Sequence, residues 1–310
     1  MMLRLIALTF ALVMVLTGDA LADLRGIYSL YSPNQNITNT PDLNKDFVAG
    51  ASIRATWDVV QPKTGSYNWS IIDSTISLVQ SKGKPVILRV VGSNRSPAWV
   101  EKKSKMVGSY MPCPWDPFYL SSWQTFIAKL GTRYRNNPAI FLVEMAGAGE
   151  GGEMVLDNSY NWKAYGYTSA KMITTWESII DTYVTNFPNK LLALDINNPL
   201  NSDSQTMSAV INYCLTKYPD HIVFQNNGLN GRSAILGVYD TILLQLSKMA
   251  IVGYQTTGSL TFNADNVGDY HTMFQKAINC GASYVEVYKN DILAPELQTD
   301  LEWLHQSLTP

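Results

Sequence analysis

Ser70-Ile71-Ile72-Asp73-Ser74-Thr75-Ile76-Ser77-Leu78-Val79-Gln80-Ser81-Lys82-Gly83-Lys84-Pro85-Val86-Ile87-Leu88-Arg89-Val90-Val91 is the stretch whose reading decides the fold. Its first half sets Ile71, Ile72, Ile76 and Val79 at helical spacing behind an S-x-x-D cap formed by Ser70 and Asp73, and Gly83 closes the helix. Its second half, Pro85–Val91, is a short β-branched run that reads as a strand. A helix, a short turn and a strand make one α/β unit, and the unit recurs along the chain.

Working outward, the expected strands are Arg25–Tyr31, Val48–Trp57, Pro85–Val91, Ile140–Ala146, Leu191–Asn197, His221–Asn226, Ala250–Gln255 and Ser283–Tyr288. Asp116-Pro117 caps a helix over Phe118–Tyr134, Thr168 opens Met172–Phe187, and Asp203 opens Met207–Tyr218. A further helix from Asp265 to Cys280 stops at Gly281, and Glu296–Leu308 forms the last. Between the first two strands, Pro33–Phe47 is Asn-rich and too short for more than a helical stub. Eight strands alternating with helices predict an α/β chain closed into a single (β/α)8 TIM barrel. An open doubly wound sheet would want a glycine-rich phosphate loop after the first strand. Tyr31-Ser32-Pro33-Asn34 is nothing like one.

Met1–Ala22 reads as a signal peptide: Arg4, an apolar run from Leu5 to Leu16, then the small-residue site Ala20-Leu21-Ala22. The expected division is therefore a leader over 1–22 and one barrel domain over 23–310, exported, with no membrane span after cleavage. The three cysteines, Cys113, Cys214 and Cys280, leave at least one thiol unpaired, and no Cys/His spacing suggests a zinc site. Asn36-Ile37-Thr38 and Asn68-Trp69-Ser70 fit the N-glycosylation triplet.

Charged residues are only 15% of the 310, with net charge −2, which argues against a nucleic-acid partner. Eight Trp, 17 Tyr and 9 Phe exclude a disordered chain and suit a neutral ligand that stacks on rings. In a TIM barrel the site lies at the C-terminal ends of the strands. After the fourth strand comes Glu144-Met145-Ala146-Gly147-Ala148-Gly149-Glu150-Gly151-Gly152-Glu153, a glycine-dense turn carrying carboxylates. On the last strand, period two puts Tyr284, Glu286 and Tyr288 on the face opposite Val285 and Val287, so Glu286 points into the barrel. Glu144, within its strand, is expected to pair with an interior arginine, Arg54 or Arg89. Glu153 and Glu286 are the expected catalytic pair, since two carboxyls across one barrel mouth are what glycoside hydrolysis needs. Glu150 is the alternative to Glu153. The long loop Gly92–Trp115 adds Arg95, Trp99, Tyr110 and Trp115, and Trp57 ends the second strand; these are the expected sugar platforms. Asn197, Asn226, Gln255 and Tyr288 at strand ends are expected to bind hydroxyls. The partner is a carbohydrate, and neither metal nor organic cofactor is called for.

Ser52-Ile53-Arg54-Ala55-Thr56-Trp57, then Gln61-Pro62-Lys63-Thr64-Gly65-Ser66-Tyr67-Asn68-Trp69 with Asp73, resembles the R-x-x-W…P-x-x-G-x-Y-x-W…D signature of clan A glycoside hydrolases. The likeness is nearest to the family 42 β-galactosidase catalytic domain, and Leu88–Val91, Ser96–Val100, Gly152–Met154 and Glu286–Tyr288 continue it. It implies a retaining mechanism with the acid/base at the end of strand four, which Glu153 fits, and the nucleophile at the end of strand seven. The chain departs from the clan in having Gly152 where Asn usually precedes the acid/base. It departs again in ending strand seven with Gln255, while Glu286 ends strand eight. Three accounts stand open: the strand count is off by one, the nucleophile has moved, or the barrel binds sugars without cleaving them. Arg54 and Gln255 are expected to orient Glu286.

Overall fold

The computed structural model describes residues 24–309; the leader expected over 1–22 lies outside the described residues. Eight parallel strands close into one barrel: β1 (Gly26–Leu30), β2 (Val48–Thr56), β3 (Val86–Val91), β4 (Ile140–Glu144), β5 (Leu191–Asp195), β6 (Ile222–Leu229), β7 (Val252–Thr256) and β8 (Tyr284–Tyr288). Each pairs with its sequence neighbours and β8 returns to β1. The count of eight stands, so Gln255 ends strand seven and Glu286 lies on strand eight. An off-by-one count is no longer an explanation.

The outer layer is α1 (Ser70–Gln80), α2 (Pro117–Tyr134), α3 (Ser169–Asn186), α4 (Ser204–Lys217), α5 (Val238–Leu246), α6 (Tyr270–Asn279) and α7 (Gln298–Leu308). Capping explains most of the starts: Asp116 accepts from the Tyr119 amide at 2.9 Å, Thr168 from Lys171 at 3.2 Å and Asp203 from Thr206 at 3.1 Å. Two expectations need correction. Asp73 does not cap α1; it binds Arg133 and Tyr134 of α2, because the packed neighbouring helix offers it stronger donors. The helix expected from Asp265 breaks at Gly268, packed against Gly231, and restarts with Asp269 as its cap. Helix α5 has no Ser, Thr, Asp or Asn at its N-cap: Gly237 stands there and donates its amide back to Asp240 at 2.8 Å. The first unit has only a 3-10 turn at Asp42–Asn44.

Two cores result. The larger lies between barrel and helices. The smaller fills the lower barrel with Leu24, Tyr28, Ile87, Leu142, Leu191, Ala193, Val223 and Tyr284. Tyr28 and Tyr284 meet edge to face at 5.9 Å. Above this plug the inward positions turn polar. Arg54 pairs in register with Arg89, Arg89 with Glu144, Asp195 with Gln225, and Glu286 with Gln255. Among the described residues, no helix is long and apolar enough to cross a membrane. Cys113, Cys214 and Cys280 are all buried and unpaired.

Candidate active site

Arg89 organises the polar layer. Its Nε lies 3.2 Å from Glu144 Oε2, its Nη1 lies 3.3 Å from Glu153 Oε1, and its Nη2 donates to Gln255 Oε1 at 2.8 Å. Burial alone would lower its pKa, but Glu144, Glu153, Glu286 and Asp195 outweigh burial and push it further up. The expected pairing of Glu144 with an interior arginine is thus found, with Arg89 as the partner.

Glu286 points into the barrel as period two requires, but it belongs to the floor and not to the mouth. Its side chain is fully buried and accepts from Gln225 Nε2 at 3.2 Å. Burial, then the neighbouring Glu144 charge, raise its pKa well above the usual carboxylate range. Glu144 Oε1 and Glu286 Oε1 are both buried without a donor. An attacking carboxylate must be charged and must reach the sugar. Glu286, expected as the nucleophile, lies fully buried below the mouth, whereas the Glu153 side chain is partly exposed there.

Glu153 reaches the mouth. The turn before it folds back so closely that a Cβ on Gly152 would lie 2.6 Å from the Ala146 Cβ, and Gly152 takes φ +84°. This is a physical reason for glycine where the clan usually has Asn. The Glu153 side chain remains 24% exposed. Its Oε1 takes the Arg89 contact and accepts from Asn227 Nδ2 at 2.7 Å, while Oε2 has no protein partner among the described residues. Glu150 stays outside on the exposed rim.

A second acid stands beside Glu153. Asp195, at the end of β5, accepts from the Asn227 amide at 3.0 Å and from Asn197 Nδ2. Asn227 thus holds Glu153 with its side chain and Asp195 with its backbone. Burial, then the Glu153 charge, push the Asp195 pKa well above the usual range. A relay fixes this corner: Tyr284 donates to Gln225 Oε1, and Gln225 Nε2 donates to Asn227 Oδ1 at 2.7 Å as well as to Glu286.

Other expected residues separate into groups. Asn197 and Gln255 are at the site. Asn226 faces away and donates to the Ile196 carbonyl at 2.9 Å; its neighbours Gln225 and Asn227 hold the inward positions, as β-alternation would have indicated. Trp57 is not a sugar platform. It is fully buried against Trp99, Tyr119, Trp123 and Phe126, because strand alternation puts it with Ile53 and Ala55 on the outward face, opposite Arg54. Trp99 is half-buried on the edge of that cluster, with its Nε1 donating to the Gln61 carbonyl at 3.2 Å. Trp115, also half-buried, packs on Trp162 and Tyr167 and donates to the Tyr165 carbonyl at 3.2 Å. Tyr110 stacks on Tyr160 at 5.1 Å. Arg95 is exposed on the rim. Arg54 and Tyr288 face each other at the mouth, 5.4 Å from guanidinium to ring, so Arg54 does not orient Glu286 by a direct hydrogen bond. Gln255 is held by Arg89, and the donor that reaches Glu286 is Gln225. Among the described residues, no cluster of three metal-ligating side chains occurs.

A closed parallel barrel with two acids side by side at the C-terminal ends of its strands is an arrangement that glycoside hydrolysis can use. Comparison with known proteins agrees: residues 48–153 match the profile of glycoside hydrolase family 42, described as β-galactosidase. A search of curated protein sequences finds no match. Similar solved structures include the catalytic domain of β-amylase from Paenibacillus polymyxa, at 10% identity over 92% of this chain and 97% of that one, TM-score 0.64. Xylanase 10B from Thermotoga petrophila RKU-1, in complex with xylobiose, aligns at 14% identity over 87% and 83%, TM-score 0.55. The β-galactosidase from the psychrophilic Marinomonas ef1 aligns at 10% identity over 85% and 54%, TM-score 0.54. Likenesses at this level of identity speak for the fold; the matched segment, residues 48–153, adds a local similarity to glycoside hydrolases.

Proposed function

We propose that the protein hydrolyses a β-linked oligo- or polysaccharide, with Glu153 and Asp195 as the reacting carboxyls. The observation that carries this reading is the single residue Asn227 clamping both acids at the mouth while their environments differ. Glu153 has a cation and an amide on one oxygen and a free second oxygen, which suits an attacking or water-activating carboxylate. Asp195, buried and beside that charge, keeps its proton and donates it to the leaving oxygen. This exchanges the role that the resemblance implies for Glu153. Retention of configuration, with a covalent glycosyl intermediate, follows the resemblance to clan A. Export follows from the Met1–Ala22 pattern and predicts a mature chain starting at Asp23.

A 2-deoxy-2-fluoro β-glycoside with a good leaving group tests the assignment, because it arrests a retaining enzyme as its covalent ester. Peptide mapping should find the label on Glu153. A label on Glu286 instead would overturn both roles. A second reading, sugar binding without cleavage, is favoured by Gln255 at the end of β7, where the resemblance implies a nucleophile. It predicts saccharide binding with neither labelling nor turnover.

A further inference from the structure

Arg54 and Arg89 stand side by side in register on β2 and β3 but are used differently. Arg89 is surrounded by acids. Among the described residues, no carboxylate lies within ion-pair distance of Arg54. Its Nε donates to the Tyr31 carbonyl at 2.9 Å, and Tyr288 faces it with ring and hydroxyl. These contacts fix the guanidinium plane and leave its remaining donors without a protein acceptor. Burial, then the Arg89 charge, pull its pKa below the ordinary arginine value, so the cation gains from any anion brought to it.

The position of this fork matters. β1, β2 and β8 are adjacent, and β4, β5 and β6 lie across the barrel from them. The mouth therefore has an acid wall, carrying Glu153 and Asp195, and a cationic wall, carrying Arg54. On the cationic wall Phe262, 45% exposed, stands edge-on to Tyr288 at 4.7 Å. A cavity of about 70 Å³ opens there between Ser32, Gln35, Phe262, Tyr288, Lys289 and Asn290, room for a pendant group and not a second ring. Lys289 is largely committed: its ammonium lies 3.7 Å from buried Asp42 and donates to the Asn39 carbonyl at 3.1 Å.

We propose that Arg54 binds the carboxylate of an acidic sugar unit, so that the saccharide handled at Glu153 and Asp195 carries a uronate. This deepens the glycosidase reading and rests on it. A planar guanidinium with two donors free matches two carboxylate oxygens in a bidentate pair. A sugar hydroxyl would leave the half-buried charge unbalanced.

The test is calorimetric titration of the full-length Glu153→Gln protein, in which turnover is slowed enough for binding to be read. The ligands are matched β-linked disaccharides in gluco and galacto series, each as the uronic acid and as its neutral counterpart. The acidic member of a binding pair should be at least about tenfold tighter. The ratio should fall to near one with Arg54→Gln added, and part of it should survive with Arg54→Lys. Equal affinity for acidic and neutral members, or a preference that outlives Arg54→Gln, overturns the proposal alone. Absence of binding by every member overturns it together with the glycosidase reading. If Arg54→Gln does not fold, titration in rising salt decides: a preference that does not shrink overturns it.

Discussion

Replacing Arg89 by leucine removes the only cation that pairs with Glu144 among the described residues; the Glu144 side chain is 4% exposed and shares the floor with Glu286. The variant leaves two buried acids with no counter-charge. Deleting one partner of a buried ion pair costs about 3–5 kcal/mol, against a total stability of about 5–15 kcal/mol for ordinary domains. Because the penalty is a charge penalty, it depends on pH. The folded variant must take up a proton that the unfolded chain, with ordinary carboxyls, does not hold at neutral pH. A folded state that binds more protons loses stability as pH rises above the ordinary carboxylate value and regains it as pH falls. The cost of Arg89→Leu should therefore be full at pH 7 and shrink toward pH 4.5, by about 1.4 kcal/mol per pH unit for each proton taken up. Urea unfolding of parent and variant at both pH values measures it. A second variant, Arg89→Leu with Glu144→Leu, should recover more than half of the loss. A penalty below about 1 kcal/mol, or one equal at the two pH values, would refute the account of the floor as a charge cluster governed by Arg89.

Five further outcomes are expected. Glu153→Gln and Asp195→Asn should each lower kcat by about 10²–10⁴ with folding retained, measured on any aryl β-glycoside the parent cleaves. Glu286→Gln should lower kcat less than about tenfold, well short of a reacting group's share. It should also gain stability relative to the parent as pH rises, because a carboxyl with raised folded pKa becomes a growing liability above the ordinary range. The alkaline limb of the pH–rate profile should lie above the usual carboxylate range and shift downward when Glu153 is made neutral, since its charge helps hold the Asp195 proton. For packing, Trp57→Ala should cost about 3–5 kcal/mol in denaturant unfolding. Gly147→Ala should be no milder than an ordinary core substitution, since its Cβ would fall 2.0 Å from Trp123 Nε1 at φ +136°; an unchanged unfolding midpoint would contradict that packing.

The sequence by itself determined the alternation of strands and helices, and with it the closed barrel, because hydrophobic period and capping are local properties of the chain. It also determined that Glu286 faces inward, since successive strand residues must point to opposite sides. The same rule, applied from Gln225, could have placed Asn227 at the site and Asn226 outside it. Depth along the barrel axis was not local. Whether an inward acid meets the floor or the mouth depends on the stagger of neighbouring strands, and Glu286 has Glu144, Gln225 and Ser52 around it from strands far apart in sequence. The same alternation puts Trp57 on the outward face with Ile53 and Ala55, opposite Arg54. Asp195 sits at the end of a short strand, but its raised pKa comes from burial and from the charge of Glu153, which only the closed barrel brings beside it. Charge interaction among buried groups falls steeply with distance and solvent, so the tertiary structure alone decided which acids stand at the mouth and which lie on the floor.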